Sequence, residues 1–179
     1  MKIGIAGCGG IGSNIAMHLI RSNIDNLKLI DFDKIEKSNL NRQFFFNNQI
    51  GEFKSKSLEK NLKKIYTDVK IESIIEKITT QNIHTLLEDC DIIIEAFDKK
   101  EFKTLLIETF KNKPIISANG IGGLSTDDIK VKKFGNITIV GDFYSDISTY
   151  KTYSSKVMLI SCLMTNEIIK IIGDRDGKF

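Results

Sequence analysis

Short, continuous apolar runs alternate along the chain with longer segments in which apolar residues recur every three or four positions. The short runs have strand length, and their continuous apolar character is typical of strands buried on both faces of a sheet. We predict strands over residues 2–6, 27–30, 69–74, 91–96 and 114–118. The recurring spacing predicts helices over residues 11–21, 53–66, 102–110 and 157–172, the last ending at Gly173 as a C-cap.

The C-terminal third departs from this alternation. Residues 129–133 and 137–140 indicate two strands joined by Phe134-Gly135-Asn136, which predicts a hairpin. Strands that alternate with helices form parallel sheets covered on both faces. We therefore predict an α/β, Rossmann-like fold, a mostly parallel sheet with helices on both faces and antiparallel strands appended near the C-terminus. No Ser/Gly-rich linker interrupts the chain, so we predict a single domain over residues 1–179.

The composition excludes several classes of protein. With 41% hydrophobic and 27% charged residues, the chain is globular rather than disordered. A net charge of +3 is too weak for a nucleic-acid-binding surface, and no apolar run reaches the roughly 18 residues of a membrane helix. Cys8, Cys90 and Cys162 form no C-x-x-C pair, so we expect neither structural zinc nor a disulfide. We expect a cytoplasmic protein that binds neither nucleic acid nor membrane.

A glycine-rich turn follows the first predicted strand and opens the first predicted helix. Its sequence, Gly7-Cys8-Gly9-Gly10-Ile11-Gly12, has the G-x-G-x-x-G spacing of nucleotide-binding turns. We expect Gly7 to permit the turn, Gly9 to let the backbone approach a phosphate, and Gly12 to allow close helix–strand packing. Asp31 ends the second predicted strand, where a carboxylate can accept hydrogen bonds from ribose hydroxyls. The pattern predicts an adenine-nucleotide site and, by itself, favours a dinucleotide.

The polar stretch after Asp31 changes this interpretation. A long crossover carries Asn39, Arg42 and Gln43, and Lys54 starts the next predicted helix. An arginine can hold a phosphate through two hydrogen bonds, and a lysine adds a movable point charge. Two cations at this edge of the sheet suit a triphosphate, whose charge is denser than that of a dinucleotide's pyrophosphate.

Together these segments resemble the ThiF/MoeB/HesA superfamily, to which the ubiquitin-activating enzymes also belong. The most specific match is the block Ser38-Asn39-Leu40-Asn41-Arg42-Gln43. The other matching segments are the glycine turn, Asp31-Phe32-Asp33, Gly51-x-x-Lys54, and Asp98 after the fourth predicted strand. Gly141-Asp142-Phe143 and the closing helix near Lys156 resemble the short ThiF-type members in particular. The resemblance covers nearly the whole chain.

The resemblance implies an adenylyltransferase that uses ATP and Mg²⁺. Its substrate would be the C-terminal Gly-Gly carboxylate of a small β-grasp sulfur-carrier protein, of the ThiS-like type that serves thiamine biosynthesis. The implied nucleotide-binding residues are Gly7, Gly9, Gly10, Gly12, Asp31, Asp33, Asn39, Arg42, Gln43 and Lys54, with Asp31 on the ribose. Arg42, Lys54 and Asp98 are the implied catalytic residues, and Asp98 would hold Mg²⁺. The family also implies a homodimer.

Two alternatives stay open on the sequence. One is an NAD(P)-dependent oxidoreductase, although Tyr150-Lys151 and Tyr153 do not have the catalytic Tyr-x-x-x-Lys spacing and no His–Asp arrangement is evident. The other is an inactive member that binds nucleotide or carrier, because Lys99 and Lys103 stand where the family usually has Asn and Arg. We also hypothesise that the glycines of residues 120–123 leave room for the carrier's tail. We expect Cys162 to be a core residue on the packed stripe of the last helix rather than a thiol that takes part in sulfur transfer.

Overall fold

The computed structural model describes residues 1–97 and 100–176. Its strands are β1 (Ile3–Ala6), β2 (Asn26–Ile30), β3 (Lys70–Ile74), β4 (Ile92–Glu95), β5 (Ile115–Ala118), β6 (Lys130–Phe134) and β7 (Ile137–Gly141). Its α-helices are α1 (Gly10–Arg21), α2 (Lys54–Leu62), α3 (Ile83–Leu87), α4 (Lys100–Thr109) and α5 (Ser154–Asp176). Two 3₁₀ turns, Lys37–Asn39 and Asn47–Gln49, lie in the crossover between β2 and α2. Every predicted strand is present, with each end within one residue of its predicted position.

The described strands form one sheet in the order β3-β2-β1-β4-β5-β7-β6. Each neighbouring pair is parallel except β6 with β7, which confirms the predicted α/β fold. The predicted hairpin is present, and Gly135 supplies the left-handed backbone, with φ of +59°, that its turn requires. After β5 the chain first forms β6 at the outer edge of the sheet and then turns back to form β7 between β6 and β5. β7 therefore runs parallel to β5, and β6 alone is antiparallel.

Helices cover both faces of the sheet because successive strand residues point to opposite sides. In β4, Ile92 and Ile94 belong to the core beneath α1, α2 and α5, whereas Ile93 belongs to the core beneath α3 and α4. The continuous apolar runs that predicted the strands therefore reflect burial on both faces. This packing fixes the carboxyl ends of the parallel strands along one edge.

The last helix is longer than the sequence predicted. α5 begins at Ser154 and continues through Gly173 to Asp176, so the prediction that Gly173 caps it was wrong. Gly173 is buried, and packing of α5 against the sheet and α1 outweighs the roughly 1 kcal/mol that a glycine costs inside a helix. Although α5 has 23 residues, no helix in the described ranges combines the length and apolar character needed to cross a bilayer.

Candidate functional site

A cavity of about 940 Å³ opens where β1, β2, β4 and β5 end. Its walls come from the glycine turn, the polar crossover, the segment after β3, α4 and the loops after β5 and β7. Ligands of open parallel sheets bind outside the carboxyl ends of the strands. The volume lies near the upper end of the range for ligand pockets, so a nucleotide-sized molecule can enter.

The cavity brings together the predicted nucleotide-binding residues apart from Gly12, which lies behind the glycine turn. Those that line it are Gly7, Gly9, Gly10, Asp31, Asp33, Asn39, Arg42, Gln43 and Lys54. They reach one cavity from β1, β2, the crossover and α2, because all of these elements meet at the same edge of the sheet.

The positions of the turn are glycine for different structural reasons. Gly7 has a φ of +97°, and its N–H donates to the Ile30 carbonyl oxygen at 2.9 Å. A Cβ on Gly12 would stand 1.9 Å from the Gly7 carbonyl oxygen, so this glycine lets α1 approach the turn closely. A Cβ on Gly9 would meet only Gln43 Nε2, at 3.8 Å. The space in front of Gly9 is therefore open to a ligand.

Asp31 ties the glycine turn to the end of β2. Its Oδ2 accepts a hydrogen bond from the Cys8 N–H at 2.7 Å, and its Oδ1 accepts one from the Asp33 N–H at 2.7 Å. Burial raises the pKa of Asp31, and these two hydrogen bonds offset only part of that effect. Asp31 is only 8% exposed. Its two hydrogen bonds hold the glycine turn in place, and this role does not depend on contact with a ribose. The Asp33 side chain, which is 51% exposed, is the more open carboxylate.

Lys54 and Arg42 bring positive charge to the cavity. Lys54 Nζ lies 2.9 Å from Asp33 Oδ2, and its side chain is only 10% exposed. Arg42 Nη1 donates to the Ser38 carbonyl oxygen at 3.1 Å and to Asn41 Oδ1 at 2.8 Å. Both acceptors of Arg42 are neutral, so these bonds orient the guanidinium without cancelling its charge. The arrangement suits an anionic ligand.

Two amides of the crossover have distinct surroundings. Asn39 Oδ1 accepts the Glu36 N–H at 3.0 Å and so closes the first 3₁₀ turn. Gln43 is 9% exposed, and its Oε1 is buried without a hydrogen-bond partner among the described residues. A buried acceptor left unpaired costs about 1–3 kcal/mol. Gln43 therefore fits a site in which a bound ligand supplies a donor.

Asp98, the predicted magnesium ligand, lies outside the described residues, as does Lys99. Within the described residues, no three His, Cys, Asp or Glu side chains are grouped so that they could hold a metal ion. Mg²⁺ is commonly held by one or two carboxylates together with substrate phosphates, so it does not need such a group. Lys103 lines the cavity and pairs with the fully buried Glu95, Nζ to Oε2, at 2.6 Å.

One end of the cavity is aromatic, which the sequence pattern did not predict. Phe32, Phe97 and Phe102 line it, and the rings of Phe97 and Phe102 have centroids 5.1 Å apart. Lys77 Nζ lies 5.9 Å from the Phe32 ring centroid and 6.0 Å from that of Phe102. Aromatic faces of this kind can stack on a purine. Phe32 adjoins Asp31 in the sequence, but the fold alone brings it near residues that follow β4.

A buried charge cluster behind the cavity wall was likewise not predicted from the sequence. Lys156 Nζ lies 2.6 Å from Asp142 Oδ2 and 2.5 Å from the Gly122 carbonyl oxygen. Both charged side chains are only 1% exposed, and Ser145 Oγ donates to Asp142 Oδ2 at 2.6 Å. Burial works against the charge on Asp142, but the hydrogen bonds from Lys156 and Ser145 outweigh it and lower the pKa of Asp142 to about 2. Ser145 itself lines the cavity, so the cluster fixes part of the wall.

The glycine-rich loop after β5 is only partly open. Gly120 and Ile121 line the cavity. A Cβ on Gly122 would stand 2.8 Å from Tyr150 Cβ, and the Gly123 N–H donates to the Lys151 carbonyl oxygen at 2.8 Å. The hypothesis that the glycines of residues 120–123 leave room for the carrier's tail therefore does not fit Gly122 and Gly123, because both pack against residues 150–151.

The three cysteines differ in accessibility. Cys8 and Cys90 are buried, and burial raises the pKa of both thiols, that of Cys90 to about 12. Cys162 is partly buried, with its Sγ 3.3 Å from His18 Nε2 across the α1–α5 contact. It therefore lies at the edge of the packed side of α5 rather than inside the core.

Solved structures with the same fold include complexes with adenine nucleotides. The E. coli tRNA N6-threonylcarbamoyladenosine dehydratase TcdA in complex with AMP superimposes with a TM-score of 0.90 over 99% of this chain and 88% of its own, at 18% identity. E. coli MccB with ATP gives a TM-score of 0.79 over 97% of this chain and 56% of its own, at 25% identity. The first likeness shows the fold alone.

Curated relatives are similar over shorter stretches. The adenylyltransferase and sulfurtransferase MOCS3 of Xenopus laevis is 32% identical over 120 residues, which cover 65% of this chain and 27% of that protein. The sulfur carrier protein ThiS adenylyltransferase of Bacillus subtilis is 33% identical over 106 residues, 58% of this chain and 31% of that protein. The chain thus spans about a third or less of these two relatives. The ThiF family matches residues 1–178, and the chain belongs to the ThiF family.

Proposed function

We propose that this protein is an ATP-dependent adenylyltransferase that activates the C-terminal carboxylate of a small ubiquitin-like carrier protein. The observation that carries the proposal is the convergence of an open glycine turn, Arg42 and Lys54 on one cavity. Membership of the ThiF family supports it, as do relatives named as adenylyltransferases. We propose further that the carrier is a ThiS-like sulfur carrier with a β-grasp fold and that the pathway is thiamine biosynthesis.

The cavity suits ATP in its distribution of charge and apolar surface. The N–H groups at the start of α1 and the side chains of Arg42 and Lys54 favour the anionic phosphates. Asp33 and Asp31 supply acceptors for ribose hydroxyls, and the unpaired Gln43 Oε1 can accept from a further ligand donor. The aromatic end, lined by Phe32 and two other phenylalanines, offers a surface for the adenine.

The proposed reaction joins two anions. An oxygen of the carrier's terminal carboxylate attacks the α-phosphorus of ATP, a new C–O–P bond forms, and the bond to the bridging oxygen of pyrophosphate breaks. The products are an acyl-adenylate and pyrophosphate, which leaves with the electron pair. Because a carboxylate is ionised at pH 7, no general base is required.

The chain's own contribution is therefore positioning and charge neutralisation. Arg42 is held by two neutral acceptors with its charge uncancelled, so it can oppose charge that builds on the phosphates. Lys54 can move from Asp33 to a phosphate oxygen. Asp98 is the residue we propose for holding Mg²⁺, which when bound neutralises phosphate charge. We further propose a homodimer that acts in the cytoplasm, with residues 1–179 as one functional domain.

The direct test is carrier-dependent exchange of labelled pyrophosphate into ATP. The substrate is a ThiS-like protein that ends in Gly-Gly, and the matched control is the same protein without its last glycine. Arg42→Ala should lower the exchange rate by at least about 100-fold, since one preorganised donor of this kind is worth roughly that much. Lys60→Met is the control on the protein, because Lys60 pairs with Glu52 on the exposed side of α2. Equal rates for Arg42→Ala and Lys60→Met would refute the catalytic assignment.

The same preparation separates the alternatives. An oxidoreductase would change the NAD(P)H fluorescence on binding and would show no exchange. An inactive family member would bind ATP, measured by isothermal titration calorimetry, without exchange in the presence of any Gly-Gly carrier. Exchange with a carrier other than a ThiS-like one would keep the activity and reject the link to thiamine.

A further inference from the structure

Three soft side chains meet at one side of the α1–α5 contact. His18 Nε2 on α1 lies 3.2 Å from Met158 Sδ and 3.3 Å from Cys162 Sγ on α5. Met158 and Cys162 are separated by one helical turn, so they project from the same face of α5. All three side chains are partly buried. An ion can reach them from solvent and still be sheltered once bound.

Ordinary hydrogen bonding does not account for both contacts. The single ring nitrogen Nε2 carries either one proton or one lone pair, so it makes one full hydrogen bond at a time, and a proton shared between the two sulfur atoms would give two weaker ones. Both of its neighbours are sulfur atoms, which are weak hydrogen-bond partners. Imidazole, thiolate and thioether are instead a ligand set for a soft metal, and thiolate and thioether ligands in particular select Cu(I).

We propose that His18, Met158 and Cys162 form a binding site for Cu(I), or for Ag(I) as its chemical analogue. With metal–nitrogen and metal–sulfur bonds of about 2.0 and 2.3 Å, ligand atoms around a three-coordinate ion stand about 3.7 Å apart. The nitrogen–sulfur distances are within about half an ångström of that value. Each of the two nitrogen–sulfur distances would need to increase by only about half an ångström to admit the ion.

Charge and accessibility favour the same ligand. Binding of Cu(I) releases the Cys162 thiol proton to water, and the thiolate neutralises the metal's single positive charge. A neutral complex is acceptable in a partly buried site, whereas a divalent ion would leave an excess charge there. The other two thiols, Cys8 and Cys90, are buried in the cores, so Cys162 is the thiol that solvent can reach. The site is separate from the nucleotide cavity and does not depend on the proposed activity.

The test is anaerobic titration of the reduced full-length chain with Cu(I) in competition with a chromophoric Cu(I) chelator, and native mass spectrometry to count bound ions. We expect one Cu(I) per chain. Cys162→Ser and Met158→Leu should weaken binding by about 100-fold and about 10-fold, respectively, since loss of groups that only hydrogen-bond to a metal's ligands already costs about 10–100-fold. Met17→Leu is the matched control, because Met17 Sδ contacts Arg21 Nε and not His18.

The proposal is overturned if no ion binds, or if Met158→Leu and Cys162→Ser retain the affinity of the Met17→Leu control. If Cys162→Ser fails to fold, alkylation of Cys162 in the wild-type chain still tests the proposal. Bound Cu(I) should slow alkylation of Cys162, located by peptide mass spectrometry, at least about 10-fold, because a thiolate that ligates a metal is not free to attack the reagent. An unchanged rate of alkylation would show that the three side chains are packing neighbours only.

Discussion

Removal of the Lys156 ammonium tests the buried charge cluster most severely. In Lys156→Met the volume is nearly kept, but Asp142 loses its counter-charge and the Gly122 carbonyl oxygen loses its donor. Breaking a buried ion pair from one side typically costs about 3–5 kcal/mol. Asp142 keeps hydrogen bonds from the Ser145 hydroxyl at 2.6 Å and from the N–H groups of Ser145 and Tyr144 at 2.9 and 3.0 Å. We therefore expect the lower end of that range, about 3 kcal/mol.

For a chain of this size, each kcal/mol shifts the melting temperature by about 2–4 °C. Lys156→Met should therefore melt about 6–12 °C below the wild type, measured by circular dichroism at pH 7. The double variant Asp142→Asn/Lys156→Met removes the uncompensated charge and should recover at least half of the loss, because a neutral pair often replaces a buried ion pair at little cost.

Two results would refute this reasoning. A melting temperature for Lys156→Met within about 2 °C of the wild type would show that the pair contributes little net stability. If the double variant is as unstable as Lys156→Met, the loss of stability comes from packing of the lysine stem and not from the uncompensated charge of Asp142. Lys60→Met is the exposed control, because Lys60 pairs with Glu52 while 64% and 42% of the two side chains are in solvent, and it should melt within about 2 °C of wild type.

Other variants follow from the same structure. Gly12→Ala should lower the melting temperature by several degrees, since its Cβ would stand 1.9 Å from the Gly7 carbonyl oxygen, an overpacking cost of about 1–3 kcal/mol. Gly9→Ala meets nothing closer than 3.8 Å, so it should keep the melting temperature while weakening ATP binding measured by calorimetry. The pKa of Asp142 is about 2 in the folded chain against the ordinary 3.8, so its stabilisation is complete above about pH 4 and is lost as the pH falls to about 2. The free energy of unfolding of the wild type, measured with urea, should accordingly fall by about 2 kcal/mol more over that interval than that of Asp142→Asn/Lys156→Met.

The order of the helices and strands, and the edge of the sheet that carries the candidate nucleotide site, could be predicted from the sequence alone. Buried parallel strands are continuously apolar, and the glycine turn has fixed spacing, so each signal is local and survives without knowledge of the fold. The same holds for Arg42 and Lys54, whose positions after β2 and at the start of α2 place them near the strand ends. Their convergence on one cavity follows from the parallel sheet.

Tertiary structure decided what depends on residues far apart in the chain. Lys156 finds Asp142 and Gly122 only because α5 starts beneath the loops that follow β5 and β7. His18 and Cys162 are 144 positions apart and meet because α1 and α5 cover the same face of the sheet. Gly173 stays helical because burial outweighs its weak local preference to end a helix. Short-range patterns report local preferences, whereas the pairing of charges and soft ligands depends on which elements the sheet brings together.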